Sequence, residues 1–334
     1  MRLVTFEIKT DIGVVQRVGA YLNKDIIDLQ FAYATYLMEK TEIERAYELA
    51  TVIIPQDMLE FIKNGAAGRV AAEKALQHVK TKQSIVQNCF GANGEKLIYK
   101  ETDVRLRAPI PKPVLLRDTS SFEQHMTNAM KALNRPIPEL WYEIPSHFMT
   151  THTNVAGPDD PIIWPSYTEK LDYELEFAVC IGKKGMNIPK ERVNEYIAGY
   201  TIYNDVTGID ILQKEMGLGV GPAKGKNFKN SNILGPCLVT PDEFNPDNAE
   251  MEARVNGEVW SRGNSSDMYY KFADLISYIS KDEPLYPGEF IGSGTCANGC
   301  GLDLNRWIKP GDIVELEVKG IGILKNSVKR GKCI

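Results

Sequence analysis

The run Leu171-Asp172-Tyr173-Glu174-Leu175-Glu176-Phe177-Ala178-Val179 alternates acidic and apolar side chains. Successive side chains of a strand face opposite sides, so Glu174 and Glu176 share one face while Leu175 and Phe177 share the other. Two carboxylates on one face repel each other; if partly buried, one has its pKa raised unless a cation sits between them. Taken alone, the segment also reads as a solvated strand face.

Around this strand the second part of the chain reads as β-rich. Further strands are expected over 198–203, 234–240, 250–255 and 312–318, and Asn256-Gly257 marks a tight hairpin because both residues tolerate positive φ. Helices are expected over 190–196 and 266–280. The first hundred residues differ: two strands over 3–8 and 14–22 precede helical spacing over 29–37, 41–52, 57–64 and 69–79. Pro109, Pro111 and Pro113 enforce an extended connection between the two parts. The chain therefore reads as α+β, with an accessory N-terminal domain over residues 1–104 and a β-rich domain over 105–334 that packs independently. No internal repeat or low-complexity tract is present.

Composition narrows the function. With 334 residues, 43% apolar and 25% charged, the chain is long enough for a substantial core and is not a disordered or fibrous sequence. A net charge of -5 gives no general attraction to nucleic acid or an anionic membrane, and neither is expected as a partner. Apolar runs such as Phe177-Ala178-Val179-Cys180-Ile181 fall far short of the roughly 20 residues that cross a bilayer. The N-terminal residues carry no apolar signal core, so the cytoplasm is the expected compartment. Cys89, Cys180, Cys237, Cys296, Cys300 and Cys333 are scattered and read as reduced thiols. Cys296 and Cys300 form a close pair, but no second pair or neighbouring histidine in the sequence completes a zinc site.

Other chemistry-bearing residues are ambiguous one at a time. Asp205 ends the apolar run Tyr200-Thr201-Ile202-Tyr203-Asn204, where it either faces a site or caps a helix beginning at Asp205 or Thr207. Asp118 follows the proline segment, with His125 seven residues on; such a histidine alone most often reads as structural or exposed. Lys226 in Lys224-Gly225-Lys226 reads as a surface lysine, and Thr295 in Gly292-Ser293-Gly294-Thr295 as turn stabilisation.

Together these pieces resemble the fumarylacetoacetate hydrolase family over residues 117–328. The matching segments are 118–125, Glu174 with Glu176, Tyr203-Asn204-Asp205, Gly225-Lys226-Asn227-Phe228, Leu234-Gly235-Pro236, Gly292-Ser293-Gly294-Thr295 and 319–326, in the family's order and at similar spacing. The resemblance implies a mixed β-sandwich roll for the catalytic domain and a homodimer. It implies that Asp118, Glu174, Glu176 and Asp205 surround one divalent ion. Four hard oxygen donors suit Mg²⁺ first, with Ca²⁺ or Mn²⁺ as alternatives. It also implies that His125 is a general base activating water, and that Asp303 of Leu302-Asp303-Leu304, standing where the family has glutamate, orients it. Lys226 then neutralises charge on substrate oxygens and Thr295 binds a substrate carboxylate.

The sequence departs from the pattern at two places. The arginine and glutamine that the family's fumarylacetoacetate hydrolases carry four and seven residues after the metal-binding aspartate are Ile209 and Leu212, with Gln213 one position away as a possible substitute. Ile209 cannot donate a hydrogen bond, which argues against fumarylacetoacetate as substrate. The expected activity is metal-dependent hydrolysis of a C–C bond in a small diketo acid such as an acylpyruvate. The alternatives are decarboxylation, hydration, dehydration or isomerisation of a 2-oxo acid, or a non-catalytic member that binds a small acid.

Overall fold

A computed structural model of the protein describes residues 1–83, 89–132, 134–219 and 221–331; Cys333 lies outside them. Among the described residues the fold is α+β, organised on a large mixed sheet. Its order begins Ile98–Lys100, Asp25–Asp28, Gly13–Leu22 and Arg2–Thr10. It continues through Asn232–Val239, Ile197–Asp205, Leu175–Ile181, Glu289–Gly292, Leu115–Thr119 and His147–Thr150. A second sheet runs Glu258–Asn264, Glu250–Val255, Ile313–Val318, Gly322–Arg330 and Ile162–Trp164.

The Leu175–Ile181 strand is buried along its whole length because both of its faces are covered. Leu175, Phe177, Val179 and Ile181 pack into a core shared with Met251, Ala253, Leu316 and Leu324 of the second sheet. On the opposite face, Ala178 and Cys180 join a core built with Leu3, Val18, Ala20 and Ala32 from the first hundred residues. An apolar strand of this kind satisfies its backbone in the ladder and its side chains in two cores at once.

Most expected elements are present, with shifted ends. The helix expected over 41–52 begins at Ala46, because Thr41 closes the preceding Leu29–Lys40 helix by bonding from its N–H to the Leu37 carbonyl (3.0 Å). The helix expected over 266–280 divides into a 3₁₀ turn, Ser265–Asp267, and an α-helix, Phe272–Ile279, whose first turn is capped by Asp274 accepting from the Lys271 N–H (3.0 Å). Residues 190–196 form a 3₁₀ helix rather than an α-helix. The Glu123–Ala132 helix and the Gly322–Arg330 strand were not anticipated; both carry too many polar residues to stand out by hydropathy. The five described cysteines are free and buried.

The two parts of the chain share one sheet. Arg2 and Leu3 pair antiparallel with Val239 and Leu238, the Thr240 N–H donates to the Met1 carbonyl (2.9 Å), and Thr5 Oγ1 donates to the Pro109 carbonyl (2.6 Å). The proline segment therefore lies against the first strand. Independent packing of residues 105–334 does not fit this arrangement, since removing 1–104 exposes Ala178, Cys180, Leu234, Leu238 and Phe290. A chain beginning at Arg105 is expected to aggregate or to lose its cooperative melting transition, as read by calorimetry and light scattering. A soluble monodisperse product with the full-length melting temperature would contradict this.

Candidate active site

Four neighbouring strands converge on one acidic centre. Asp118 lies near the end of Leu115–Thr119, Glu176 in Leu175–Ile181 with Glu174 just before it, and Asp205 at the end of Ile197–Asp205. Glu289–Gly292 runs between the Asp118 and Glu176 strands and ends there in glycine. A Cβ on Gly292 would stand 2.4 Å from Asp118 Oδ1 and 3.0 Å from Glu176 Oε2, so the missing side chain is what lets the two carboxylates meet. All four acids are buried, and one oxygen from each lies within 4.8 Å of the others. Asp205 does not cap a helix: the next one starts at Ile209, with Gly208 in the capping position.

Three buried oxygens, Asp118 Oδ1, Glu176 Oε2 and Asp205 Oδ1, have no hydrogen-bond partner. Unpaired buried acceptors of this kind are costly unless a cation satisfies them. Lys226 neutralises only part of the charge, with its Nζ donating to Glu174 Oε2 (2.8 Å) and Asp205 Oδ2 (2.6 Å). Burial pushes Glu176 well above the ordinary carboxylate range, and the charges of Asp118, Asp205 and Glu174 add to it. Burial likewise raises Asp205 and Asp118 despite Lys226. Glu174 goes the other way: burial opposes its charge, but Lys226, His125 and the Thr207 hydroxyl hold its pKa below normal. Hard oxygen donors, unmatched negative charge and orphaned acceptors all fit a divalent ion.

His125 stands on the Glu123–Ala132 helix at the rim of this centre. Its Nδ1 lies 3.1 Å from both carboxylate oxygens of Asp303, whose side chain is buried, which leaves Nε2 as the nitrogen without a hydrogen-bond partner among the described residues. Burial disfavours the imidazolium, but the bond and charge of Asp303, joined by Glu174, outweigh it and raise the pKa. Asp303 sits on a single helical turn, Gly301–Leu304. That turn is fastened by Asp172, whose two oxygens accept from the Gly301 and Leu302 N–H groups (2.7 Å each). Burial pushes Asp172 up to about 8. The fold also brings Cys300 Sγ to 3.9 Å from His125 Nδ1, a histidine neighbour that linear spacing did not reveal.

The remaining expected site residues are nearby, in altered settings. Thr295 Oγ1 is 2.9 Å from Glu174 Oε2 and 3.2 Å from Glu176 Oε1, so its hydroxyl faces the acids themselves. Gln213 and Leu212 both line a cavity of about 350 Å³ that opens from Asp118, Glu174, His125 and Lys226. Ile209 is buried and does not line it. None of the described lining residues belongs to 1–104. Several contributors were missed in the sequence. Thr207 Oγ1 donates to Glu174 Oε1 (2.9 Å), and the Glu174 N–H donates to Asn204 Oδ1 (3.1 Å). Asp172 was the one with a visible signal, since it continues the alternation of Glu174 and Glu176 by one more step.

A family model, Fumarylacetoacetate (FAA) hydrolase C-terminal, matches residues 115–329. The chain belongs to the fumarylacetoacetate hydrolase family. Oxaloacetate tautomerase YisK of Bacillus subtilis is 30% identical over 298 residues, covering 87% of this chain and 91% of its own. The human mitochondrial oxaloacetate tautomerase FAHD2A is 30% identical over 278 residues, covering 82% of this chain and 80% of its own. Maleylpyruvate hydrolase from Sphingobium sp. SYK-6, solved in complex with manganese(II) ion and pyruvate, shares the fold. It superposes with a TM-score of 0.69 at 20% identity, over 99% of this chain and 100% of that one. Proteins of this fold thus include hydrolases and tautomerases of small organic acids, and no helix among the described residues is long and apolar enough to cross a membrane.

Gly292→Ala is expected to weaken Mn²⁺ binding by about 10- to 100-fold, the usual cost of disturbing the support of a metal ligand, with the fold retained. Calorimetric titration checks it, and unchanged affinity would show that the two carboxylates need not meet over Gly292.

Proposed function

We propose that the protein is a divalent-metal-dependent hydrolase that cleaves the C–C bond of an acylpyruvate-like diketo acid, with Mg²⁺ as first choice of metal. The observation that carries this reading is that His125, paired through Nδ1 with Asp303, lines the same cavity as Asp118 and Glu174 of the four-acid cluster. Asp118, Glu174, Glu176 and Asp205 would hold the ion, which when bound would supply Lewis-acid chemistry to the 2-oxo acid. His125 Nε2 takes a proton from water while Asp303 keeps Nδ1 protonated and stabilises the resulting imidazolium. The hydroxide oxygen bonds to the distal carbonyl carbon. The C3–C4 bond breaks with its electron pair left on C3, and His125 returns the proton there, giving pyruvate and a carboxylic acid. Lys226, with two N–H groups spent on Glu174 and Asp205, retains one to meet negative charge on a substrate oxygen.

A second reading is tautomerisation of a 2-oxo acid, in which the same imidazole moves a proton between C3 and the enol oxygen. The two oxaloacetate tautomerases at 30% identity favour it. The test is to follow acylpyruvates and oxaloacetate by loss of the enol ultraviolet band with Mg²⁺, alongside enzymatic measurement of pyruvate released from the acylpyruvates. Stoichiometric pyruvate is expected. Loss of the oxaloacetate enol band with no pyruvate from any acylpyruvate would replace the first reading by the second.

A further inference from the structure

We propose that the far end of the substrate is an uncharged, apolar chain, and that the cavity discriminates against a 2-oxo acid ending in a second carboxylate. This rests on the reading above only in placing the 2-oxo acid head at the four carboxylates. The charged groups Asp118, Glu174 and Lys226, together with Thr295, form the buried end of the cavity, where they are almost wholly inaccessible. Towards solvent the wall changes character. Met126, Ala129 and Met130, at helical spacing i, i+3 and i+4, present one face of the Glu123–Ala132 helix, and Leu212 and Met216 present the Ile209–Gly217 helix. Met216 is 49% exposed, which puts it at the mouth.

The Ile209–Gly217 helix is held close by a second absent side chain. A Cβ on Gly225 would lie 2.8 Å from Leu212 N and 2.9 Å from its Cα, so the loop carrying Lys226 seats against Leu212. Leu212 of the apolar wall is thereby fixed in place beside the loop that carries Lys226. Methionines suit an apolar tail of variable shape, being unbranched and polarisable.

What the outer wall lacks is a partner for an anion. Among the described lining residues Lys226 is the one permanent cation, and it lies at the buried end between Glu174 and Asp205, while His125 is paired with Asp303. His147 is held below its ordinary pKa by burial and by the Arg117 charge, so it is neutral near pH 7. Ser120, Ser146 and Gln213 are neutral. A terminal carboxylate there gives up water without gaining a charged partner, whereas each methylene laid against the methionines gains up to about fourfold in affinity.

The test uses the full-length protein loaded with Mn²⁺. Calorimetry compares the 2-oxo monoacids from 2-oxobutanoate to 2-oxooctanoate with 2-oxoglutarate and 2-oxoadipate. Affinity for the monoacids is expected to climb with each added methylene, and each dicarboxylate is expected to bind at least about tenfold more weakly than the monoacid of equal length. Met130→Lys is expected to narrow or invert that ratio, and Met130→Leu to preserve it. Dicarboxylates binding as tightly, affinity flat with length, no binding by either series, or a ratio unmoved by Met130→Lys would each overturn the proposal. A clear tail preference without pyruvate release from acylpyruvates keeps this inference and removes hydrolysis; pyruvate release with no tail preference does the reverse.

Discussion

Replacement of His125 by alanine is expected to lower kcat for acylpyruvate hydrolysis by about 10²- to 10⁴-fold, the usual worth of a positioned acid–base group, while Mn²⁺ binding is retained. The separation follows from geometry: Nδ1 is engaged by Asp303, and the imidazole is outside the set of four acids that could hold the ion. The pH profile supplies an independent check. A general base works deprotonated, so the rate rises with pH through the histidine's pKa, and Asp303 holds that pKa above the ordinary value. Asp303→Asn removes the charge that favours the imidazolium, so the ascending limb is expected to move to lower pH while the plateau falls. A ring held only structurally would not move the limb. Hydrolysis undiminished in His125→Ala would end the general-base assignment, and loss of metal binding in that variant would mean the site had collapsed.

Glu176→Gln is expected to abolish the stabilisation that a divalent ion confers and to leave hydrolysis undetectable. In wild type, an ion at about 100 times its dissociation constant adds about 2.7 kcal/mol to the folded state. Glu176 is fully buried, one of its oxygens is orphaned, and burial with the neighbouring carboxylates raises its pKa, which favours the protonated acid in the ion-free protein. Glutamine matches the protonated acid in shape and charge. The ion-free variant should therefore melt at or above the wild-type temperature, while the Mg²⁺- or Mn²⁺-induced rise disappears. Because metal binds the ionised carboxylate, the raised pKa makes wild-type metal binding strengthen as pH increases through the titration of Glu176. Melting curves with and without metal decide the matter: a retained metal-induced shift would remove Glu176 from the ligand set, and a large loss of ion-free stability would show a structural role.

The sequence by itself determined the β-rich second part, the same-face placement of Glu174 and Glu176, the Asn256-Gly257 hairpin and, through ordered motifs, the family. These depend on periodicity and turn chemistry, which are local properties of the chain. It also marked Asp118, Asp205, His125, Lys226 and Asp303 as one set, although 185 positions separate the first from the last. Tertiary structure alone decided how that set meets. Asp118 and Glu176 approach because an unrelated strand between them ends in Gly292, and Asp303 reaches His125 because Asp172 fastens its turn. It also decided the bond between the two halves of the chain, where Leu3 lies beside Leu238 in one ladder. Proline spacing suggested a linker there, but pairing between strands more than two hundred residues apart leaves no local trace: either edge satisfies its hydrogen bonds equally well with any complementary strand, and only the assembled sheet selects the partner.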